Sequence, residues 1–331
     1  MKEEMPIGSE YDLTEEEYIS SLSRAEMGVF MTCKPSKHPY SVFVVAQPGA
    51  GKTGLKTYVI NQGQNTGRLA SFVEFNPDNI GPYHEHYAEI MRHYPDDSFQ
   101  ILQRFIRPAL DEHLRRKGVD LKVNVVQEGT FASKDGYLSI LDYQKNGGYD
   151  IDVAILAVDR YESLLSCYER EQYYRENGLT PRIVQPRYHD DSYVRMLETL
   201  DEIERRNLIS RTCAFKRGYV EDKPELVWQS GDSRFASSRE AIDFYRQRNR
   251  EEIMQNADAY IRRITSLQER AEDIEQQSRL ARLLEEFQTE LEKYNERWCI
   301  LLSFGTGQKN ITCCLLGTGL KNIIISIGYI Y

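Results

Sequence analysis

The run Ser41-Val42-Phe43-Val44-Val45 leads straight into Ala46-Gln47-Pro48-Gly49-Ala50-Gly51-Lys52-Thr53, and residues 54–61 that follow are helix-compatible. A β-branched strand, a Gly-rich loop ending in Gly-Lys-Thr and a helix form the context that makes such a string a phosphate-binding loop and not a chance match. Backbone N–H groups of the loop and of the helix N-terminus converge on phosphate oxygens. In that arrangement Gly49 and Gly51 bring the backbone close, Lys52 reaches the β- and γ-phosphates, and the Thr53 hydroxyl ligates Mg²⁺. Ala46 stands where the pattern has its first glycine; that position serves the tight exit from the strand, so alanine costs backbone freedom and no phosphate ligand. The competing reading is a Gly-rich turn with an incidental lysine. The expectation is a nucleoside-triphosphate site.

Composition bounds what surrounds this loop. The chain has 331 residues, a formal net charge of -9 and a pI near 5.4. That length holds one large or two modest domains. The acidic balance argues against a dedicated nucleic-acid binder, which carries a basic face. Six cysteines (Cys33, Cys167, Cys213, Cys299, Cys313 and Cys314) show no C-x-x-C or Cys/His spacing, so they read as reduced thiols of the cytosol. Met1-Lys2-Glu3-Glu4 opens the chain without an apolar run, and no stretch approaches the ~20 apolar residues of a membrane span. A cytoplasmic protein with no membrane partner is expected.

From about residue 14 to 232, short apolar strands alternate with helical patterns, the signature of βαβ units and a parallel sheet flanked by helices. Strands are expected at 41–46, 70–75, 122–127 and 152–158, and helices at 53–61, 97–117, 135–146 and 160–175. Two β-prone runs at 209–215 and 225–228 suggest a terminal hairpin. In an open parallel sheet ligands bind beyond the carboxyl ends of the strands, so the residues just after each strand are the ones to inspect.

The character changes after residue 236. Residues 237–298 are long, charged and free of Pro and Gly. Apolar or small residues recur at three- and four-residue spacing: Ile253, Ala257, Tyr260, Ile264, Leu267, Ala271, Ile274, Ser278 and Ala281. Near Ala281 the phase slips, continuing through Leu284, Phe287, Leu291, Tyr294 and Trp298. Such a seam fits a coiled-coil-like extension, self-associating or hairpinned, or helices folded back on the preceding domain. Residues 299–331 mix Gly-Thr-Gly turns with apolar runs and have neither period. The expected organisation is therefore a P-loop domain over 1–236, a helical extension over 237–298 and an apolar tail over 299–331.

Behind the loop lies a set of candidate chemical groups. The second strand ends in Glu74-Phe75-Asn76-Pro77-Asp78, and Pro77 cannot continue a central strand, so Asp78 falls at the carboxyl edge. A carboxylate there can accept the proton of an attacking hydroxyl during phosphoryl transfer; otherwise it caps the turn. The third strand ends in Gln127-Glu128-Gly129-Thr130. Glu128 can hold a substrate hydroxyl or a Mg²⁺-bound water, with glycine beside it for close ligand approach, or it is a buried structural acceptor. Arg170, on a helix starting near Arg160, and Arg182, in the loop Leu179-Thr180-Pro181-Arg182, can stabilise the equatorial oxygens of a transferring phosphoryl group, although single surface arginines are usually solvated charges.

These pieces, in this order, resemble the zeta-toxin family. The segment from Ala46 to Gly54 is similar to that family's Gly-Gln-Pro-Gly-Ser-Gly-Lys-Thr loop. Asn76-Pro77-Asp78, followed by His84 and Tyr87, resembles its strand-end Asp segment. Val126-Gln127-Glu128-Gly129-Thr130 resembles its Ile-Glu-Gly-Thr motif. Asn146-Gly147-Gly148-Tyr149 leading into Ile155-Leu156-Ala157-Val158 resembles its Gly-Tyr turn and fourth strand. Glu169-Arg170 and the segment from Arg182 to His189-Asp190 follow in the same order.

The resemblance implies a P-loop kinase that uses ATP and Mg²⁺ to phosphorylate the 3′-hydroxyl of the amino sugar in UDP-N-acetylglucosamine, a toxin against cell-wall synthesis held by an antitoxin protein. Carried over by position, Lys52 and Thr53 handle phosphates and Mg²⁺, and Asp78 is the general base. Glu128 and Thr130 face the sugar nucleotide, while Arg170 and Arg182 contact the ATP phosphates. The chain departs from the family on the acceptor side: Gly81 and Ala132 stand where basic residues are common, and Glu85 replaces a proline. Two other readings stay open, a kinase of another small-molecule hydroxyl such as an antibiotic, and a nucleotide-dependent switch working through the helical tail.

Overall fold

The computed structural model describes residues 6–95, 97–181, 183–218 and 223–305. In chain order these form α1 (Glu15–Phe30), β1 (Tyr40–Val45), α2 (Lys52–Asn65), β2 (Phe72–Phe75), the short α3 (Pro77–Ile80), α4 (Tyr87–His93) and α5 (Ser98–Arg107). Then come α6 (Arg115–Asp120), β3 (Asn124–Gly129), α7 (Lys134–Asn146), β4 (Asp150–Leu156), α8 (Arg160–Glu176) and α9 (Pro186–Arg205). The chain continues with β5 (Arg211–Lys216), β6 (Glu225–Gln229), α10 (Ser238–Gln255), α11 (Ala257–Arg270) and α12 (Ile274–Gly305). Among the described residues the chain groups into two compact units, divided between Leu283 and Leu284. The expected boundary at 236/237 lies inside the first of them.

One six-stranded sheet organises this unit, in the order β2-β3-β1-β4-β5-β6. The first five strands are mutually parallel and β6 runs antiparallel to β5, which is the expected terminal hairpin. β1 is central because all six of its residues are buried, with β3 on one side and β4 on the other. Alternate residues feed opposite faces. Phe43 and Val45 enter the larger core with Phe75, Val125 and Ile151, whereas Val42, Val44 and Ala46 join Leu55, Val126 and Leu156. Burial on both faces explains why these strands read as continuous apolar runs rather than alternating ones.

Local sequence accounts for the helix boundaries. Thr14 and Glu17 close a reciprocal capping box at the start of α1. Asp159 accepts from the Tyr161 N–H at the start of α8, and Ser237 accepts from Glu240 N–H at the start of α10. The helix expected over 97–117 is divided: Pro108 lacks a donor, and Pro108–Leu114 widens into a π-helical stretch between α5 and α6. Two long helices are additional to the expectations, α1 and α9. In α1 only Ser21 and Ala25 are buried while Ile19, Met27 and Met31 are exposed, so its apolar pattern is smeared round the helix.

The seam after residue 236 is interrupted at Asn256 and again at 271–273, well before the slip read near Ala281. Tyr260, Ile264 and Leu267 are buried as the three-four spacing requires, yet Ile274 is 82 % exposed. Past the break, Leu280 and Leu283 take over the buried positions, in a new phase. The stripe of α11 is covered within the chain, because α11 folds back onto α8 while α10 packs on α9 and β5. Tyr260 donates its hydroxyl to the Tyr161 carbonyl at 2.8 Å, and Arg250 reaches the buried Asp159 at 2.9 Å. Arg263 lies 2.9 Å from Glu162 and 2.8 Å from Glu169, and Arg279 lies 2.7 Å from Glu171. Of the tail read over 299–331, residues 299–305 continue α12, and 306–331 lie outside the described residues.

Candidate phosphate-binding and catalytic site

The Gly-rich loop leaves the carboxyl end of β1 and opens directly into α2. Gly49 has φ +76° and Gly51, the N-cap of α2, has φ +97°, left-handed values that glycine adopts without strain. Gly49 is constrained twice, since a Cβ there would lie 1.9 Å from the Ser163 carbonyl oxygen and 2.7 Å from Cys167 Sγ on α8. The loop is thus pressed against α8. Lys52, first residue of α2, donates from Nζ to the carbonyls of Ala46 at 2.8 Å and Gln47 at 3.1 Å. Thr53 follows, exposed, with its carbonyl engaged by the Thr57 hydroxyl.

α8 carries Arg170 along the same line. Ser163, Ser166, Cys167 and Arg170 fall at three- and four-residue spacing, so one face holds the loop and then the arginine. Arg170 Nε is buried and makes no hydrogen bond among the described residues. A buried guanidinium N–H without an acceptor is costly, and it is the kind of group that an anionic oxygen satisfies. Arg182 lies outside the described residues.

On the opposite side of β1, the tips of β2 and β3 are tied together. Asn76 accepts from the Asp78 N–H at 3.0 Å and donates from Nδ2 to Glu128 Oε1 at 3.0 Å. Asp78 itself is exposed on the four-residue α3, at the carboxyl edge of the sheet as expected. Lys56, one turn after Lys52, sits 2.7 Å from Glu128 and also pairs with Glu74. Burial lowers the Lys56 pKa, but the hydrogen bonds it donates to Glu128 and Glu74 outweigh that and hold the ammonium charged. Glu128 is therefore a half-buried acceptor already bonded within the chain, with Asn76 linking it to the Asp78 turn. The Thr130 hydroxyl accepts from the Ala132 N–H at 3.4 Å.

Gly129 serves a different purpose from the close ligand approach expected of it. A Cβ there would fall 2.2 Å from the Tyr137 hydroxyl, so the glycine makes room for that partly buried tyrosine from behind. Phe131, two residues on, holds φ +53° while fully buried, an unusual conformation for an aromatic residue. Its ring packs 4.7 Å from Tyr137 and 5.8 Å from Phe43, which fixes the backbone carrying Glu128 and Thr130.

Two groups near the loop escape the sequence patterns, and a third, His189, is read there only as part of a family-like segment. Lys56 is a plain helix lysine until the fold brings Glu74 and Glu128 to it. Arg217, immediately after β5, donates to the Gly49 carbonyl at 3.2 Å and to Ser166 Oγ at 2.8 Å. Its place just beyond a strand's carboxyl end is the signal that could have found it. His189 is buried completely at the start of α9, against the loop side of α8.

With this geometry in view, comparison with known proteins is decisive. A sequence model described as Zeta toxin matches residues 25–222, more than half of the chain.

The chain belongs to the zeta toxin family.

Toxin PezT of Streptococcus pneumoniae serotype 4 is 27 % identical over 224 residues, covering 67 % of this chain and 86 % of PezT. Toxin zeta of Enterococcus hirae is 22 % identical over 185 residues, covering 56 % of this chain and 63 % of that toxin. Among solved structures, that of the PezAT chromosomal toxin–antitoxin system of Streptococcus pneumoniae superposes with a TM-score of 0.60 at 23 % identity. It covers 78 % of this chain and 98 % of the other. The zeta-toxin fold therefore extends beyond the matched residues into the helices that follow β6. No helix among the described residues is long and apolar enough to cross a membrane.

Proposed function

We propose that this zeta-family chain is a Mg·ATP-dependent phosphotransferase acting on a small-molecule hydroxyl, the 3′-hydroxyl of the amino sugar in UDP-N-acetylglucosamine being the acceptor the family implies. The observation that carries the reading is the Gly49–Lys52 loop pressed against α8 at Ser163 and Cys167, one turn before Arg170, whose buried Nε makes no hydrogen bond among the described residues. Lys52 and the loop N–H groups hold the β- and γ-phosphates, and the Thr53 hydroxyl with the phosphate oxygens holds Mg²⁺, an ion that takes few protein ligands in such sites. The acceptor oxygen attacks the γ-phosphorus, the bond to the β–γ bridging oxygen breaks, ADP leaves, and the acceptor proton passes to Asp78. Arg170, joined by Arg182 in this proposal, neutralises charge on the equatorial oxygens.

Glu128 and Thr130 form the acceptor edge in this reading, with Lys56 as the cation beside them. The family membership and the toxin–antitoxin relatives support an antitoxin partner and a cytoplasmic site of action. Incubating the purified chain with Mg·ATP and a panel of UDP-sugars, and reading products by mass spectrometry, tests the proposal. A phosphoryl group gained by UDP-N-acetylglucosamine supports it. Phosphate appearing only on another hydroxyl, such as an antibiotic's, keeps the chemistry and replaces the acceptor.

A nucleotide-dependent switch is favoured by one observation. Arg263 of α11 pairs with Glu162, Glu162 lies 3.7 Å from Arg217, and Arg217 bonds the Gly49 carbonyl. Toxicity that survives Asp78→Asn selects the switch over catalysis.

A further inference from the structure

A buried polar chain runs from the phosphate loop to the start of α9. Gln47 donates Nε2 to the Val158 carbonyl at 2.9 Å and to Ser163 Oγ at 3.0 Å. Ser163 Oγ lies 2.9 Å from His189 Nε2, and His189 Nδ1 lies 3.1 Å from Asp190 Oδ1. Arg160 grips Asp190 with two bonds, Nε to Oδ1 at 2.7 Å and Nη2 to Oδ2 at 2.8 Å. Gln47, Ser163 and His189 are all fully buried.

The donor sense of each link follows from chemistry. The Val158 carbonyl only accepts, so the Gln47 amide nitrogen faces it. The Asp190 carboxylate is held down at about 2, for although burial raises it, His189 and Arg160 lower it more. Being ionised, it only accepts, and His189 Nδ1 therefore carries the proton. Burial keeps the ring neutral despite the pull of Asp190, with Lys52 and Arg160 also disfavouring a second positive charge. Nε2 is then a bare acceptor facing the Ser163 hydroxyl, whose one proton is shared among Nε2 at 2.9 Å, the Asp159 carbonyl at 2.9 Å and the Arg160 carbonyl at 3.2 Å. The order Ser163–His189–Asp190 has the spacing of a hydrolytic triad, but Ser163 is sealed from solvent and opens onto no substrate. A nucleophilic role is excluded.

We propose that His189 is a positioning residue for nucleotide binding: as a neutral acceptor it orients Ser163, which holds Gln47 and with it the phosphate loop against α8. Gln47 bonds both the exit of β4 and α8, and Gly49 touches the same turn of α8 through its backbone. Arg217 adds a separate tie, from the Gly49 carbonyl to Ser166 of α8. This inference rests on the phosphate-site reading above, and Mg·ATP affinity measured by calorimetry separates the two. Ser163→Ala removes one hydroxyl without altering packing. It should weaken Mg·ATP binding about tenfold, the equivalent of roughly one buried hydrogen bond. Gln47→Met added to Ser163→Ala should cost less than the two single losses summed, since the two share the Gln47–Ser163 contact while Gln47 also holds the Val158 carbonyl. His189→Gln, whose amide oxygen can accept from Ser163, should stay within about threefold of the parent, whereas His189→Leu should match Ser163→Ala. Parent-like affinity in Ser163→Ala, or additive losses in the double variant, overturns the inference. If the His189 variants do not fold, the Ser163 and Gln47 variants decide it. A parent chain that does not bind Mg·ATP, or a Lys52→Ala chain that still does, overturns the phosphate-site reading instead.

Discussion

Gly49 and Ser163 meet backbone to backbone, so that a single added carbon on Gly49 would stand 1.9 Å from the Ser163 carbonyl oxygen. Gly49→Ala is therefore expected to push the loop off α8, beyond the strain of φ +76°. Mg·ATP affinity should drop at least tenfold, an estimate that takes strain of about 1–3 kcal/mol as lost from the binding-competent loop. Calorimetric titration of the variant beside its parent checks this; unchanged affinity would show that the loop tolerates separation.

Lys52→Ala should abolish phosphotransfer and reduce nucleotide binding severely, because in the proposed site Lys52 is the point charge the loop presents to the β- and γ-phosphates. Near-normal turnover in this variant would remove the basis for the kinase proposal.

Asp78→Asn should leave Mg·ATP affinity roughly intact and lower kcat by about 10²-fold or more, within the 10²–10⁴ range of general-base catalysis. Arg170→Ala should also depress kcat. Arg170→Lys should rescue it poorly, since a compact ammonium does not reproduce a planar guanidinium. Steady-state kinetics with the phosphorylated acceptor as readout distinguishes these outcomes.

Two buried histidines set an acid limit to stability. Burial lowers the His84 pKa to about 4 and moves His189 in the same direction from the usual 6.5. The unfolded chain takes up protons below about pH 6.5 that the folded chain refuses, so stability is fully present above that value and falls as pH drops towards 4. Urea midpoints should decline between pH 7 and pH 5, and His84→Gln should flatten that decline. A pH-independent midpoint in both proteins would contradict the assignment.

The sequence's own division at residue 236 invites a truncation test. Asp159, Glu162 and Glu171 are at most 3 % exposed, and their arginine partners Arg250, Arg263 and Arg279 all lie beyond that point. Removing one partner from a buried pair costs about 3–5 kcal/mol where the charge stays buried, and opening the face to water exposes the apolar side chains around it. A chain ending at 236 is expected to be insoluble or to melt far below the full chain. A soluble, cooperatively melting fragment with Mg·ATP affinity would establish an autonomous P-loop domain.

What was legible in the sequence was whatever local chemistry determines. β1, the glycine loop and α2 follow from a β-branched run, a Gly-rich stretch and a helix-compatible stretch, and the parallel sheet follows from the βαβ alternation, whereas the strand order came only from the fold. The positions of Asp78 and Arg170 followed from Pro77 and from the start of α8. Lys56, Arg217 and the chain through Ser163 and His189 were hidden, because each acquires meaning from a partner between 18 and 168 residues away. The seam misled for a related reason: Asn256 and residues 271–273 break the helix without Pro or Gly, so its spacing continued across turns that tertiary contacts impose.

The tyrosine hydroxyl behind Gly129 separates two kinds of constraint inside one motif. Gly129 is fixed by the room Tyr137 needs, and would be kept by a descendant chain that had abandoned catalysis altogether. An intact Glu-Gly-Thr string is thus in part a record of packing, and its glycine by itself says nothing about the chemistry at the neighbouring strand tips.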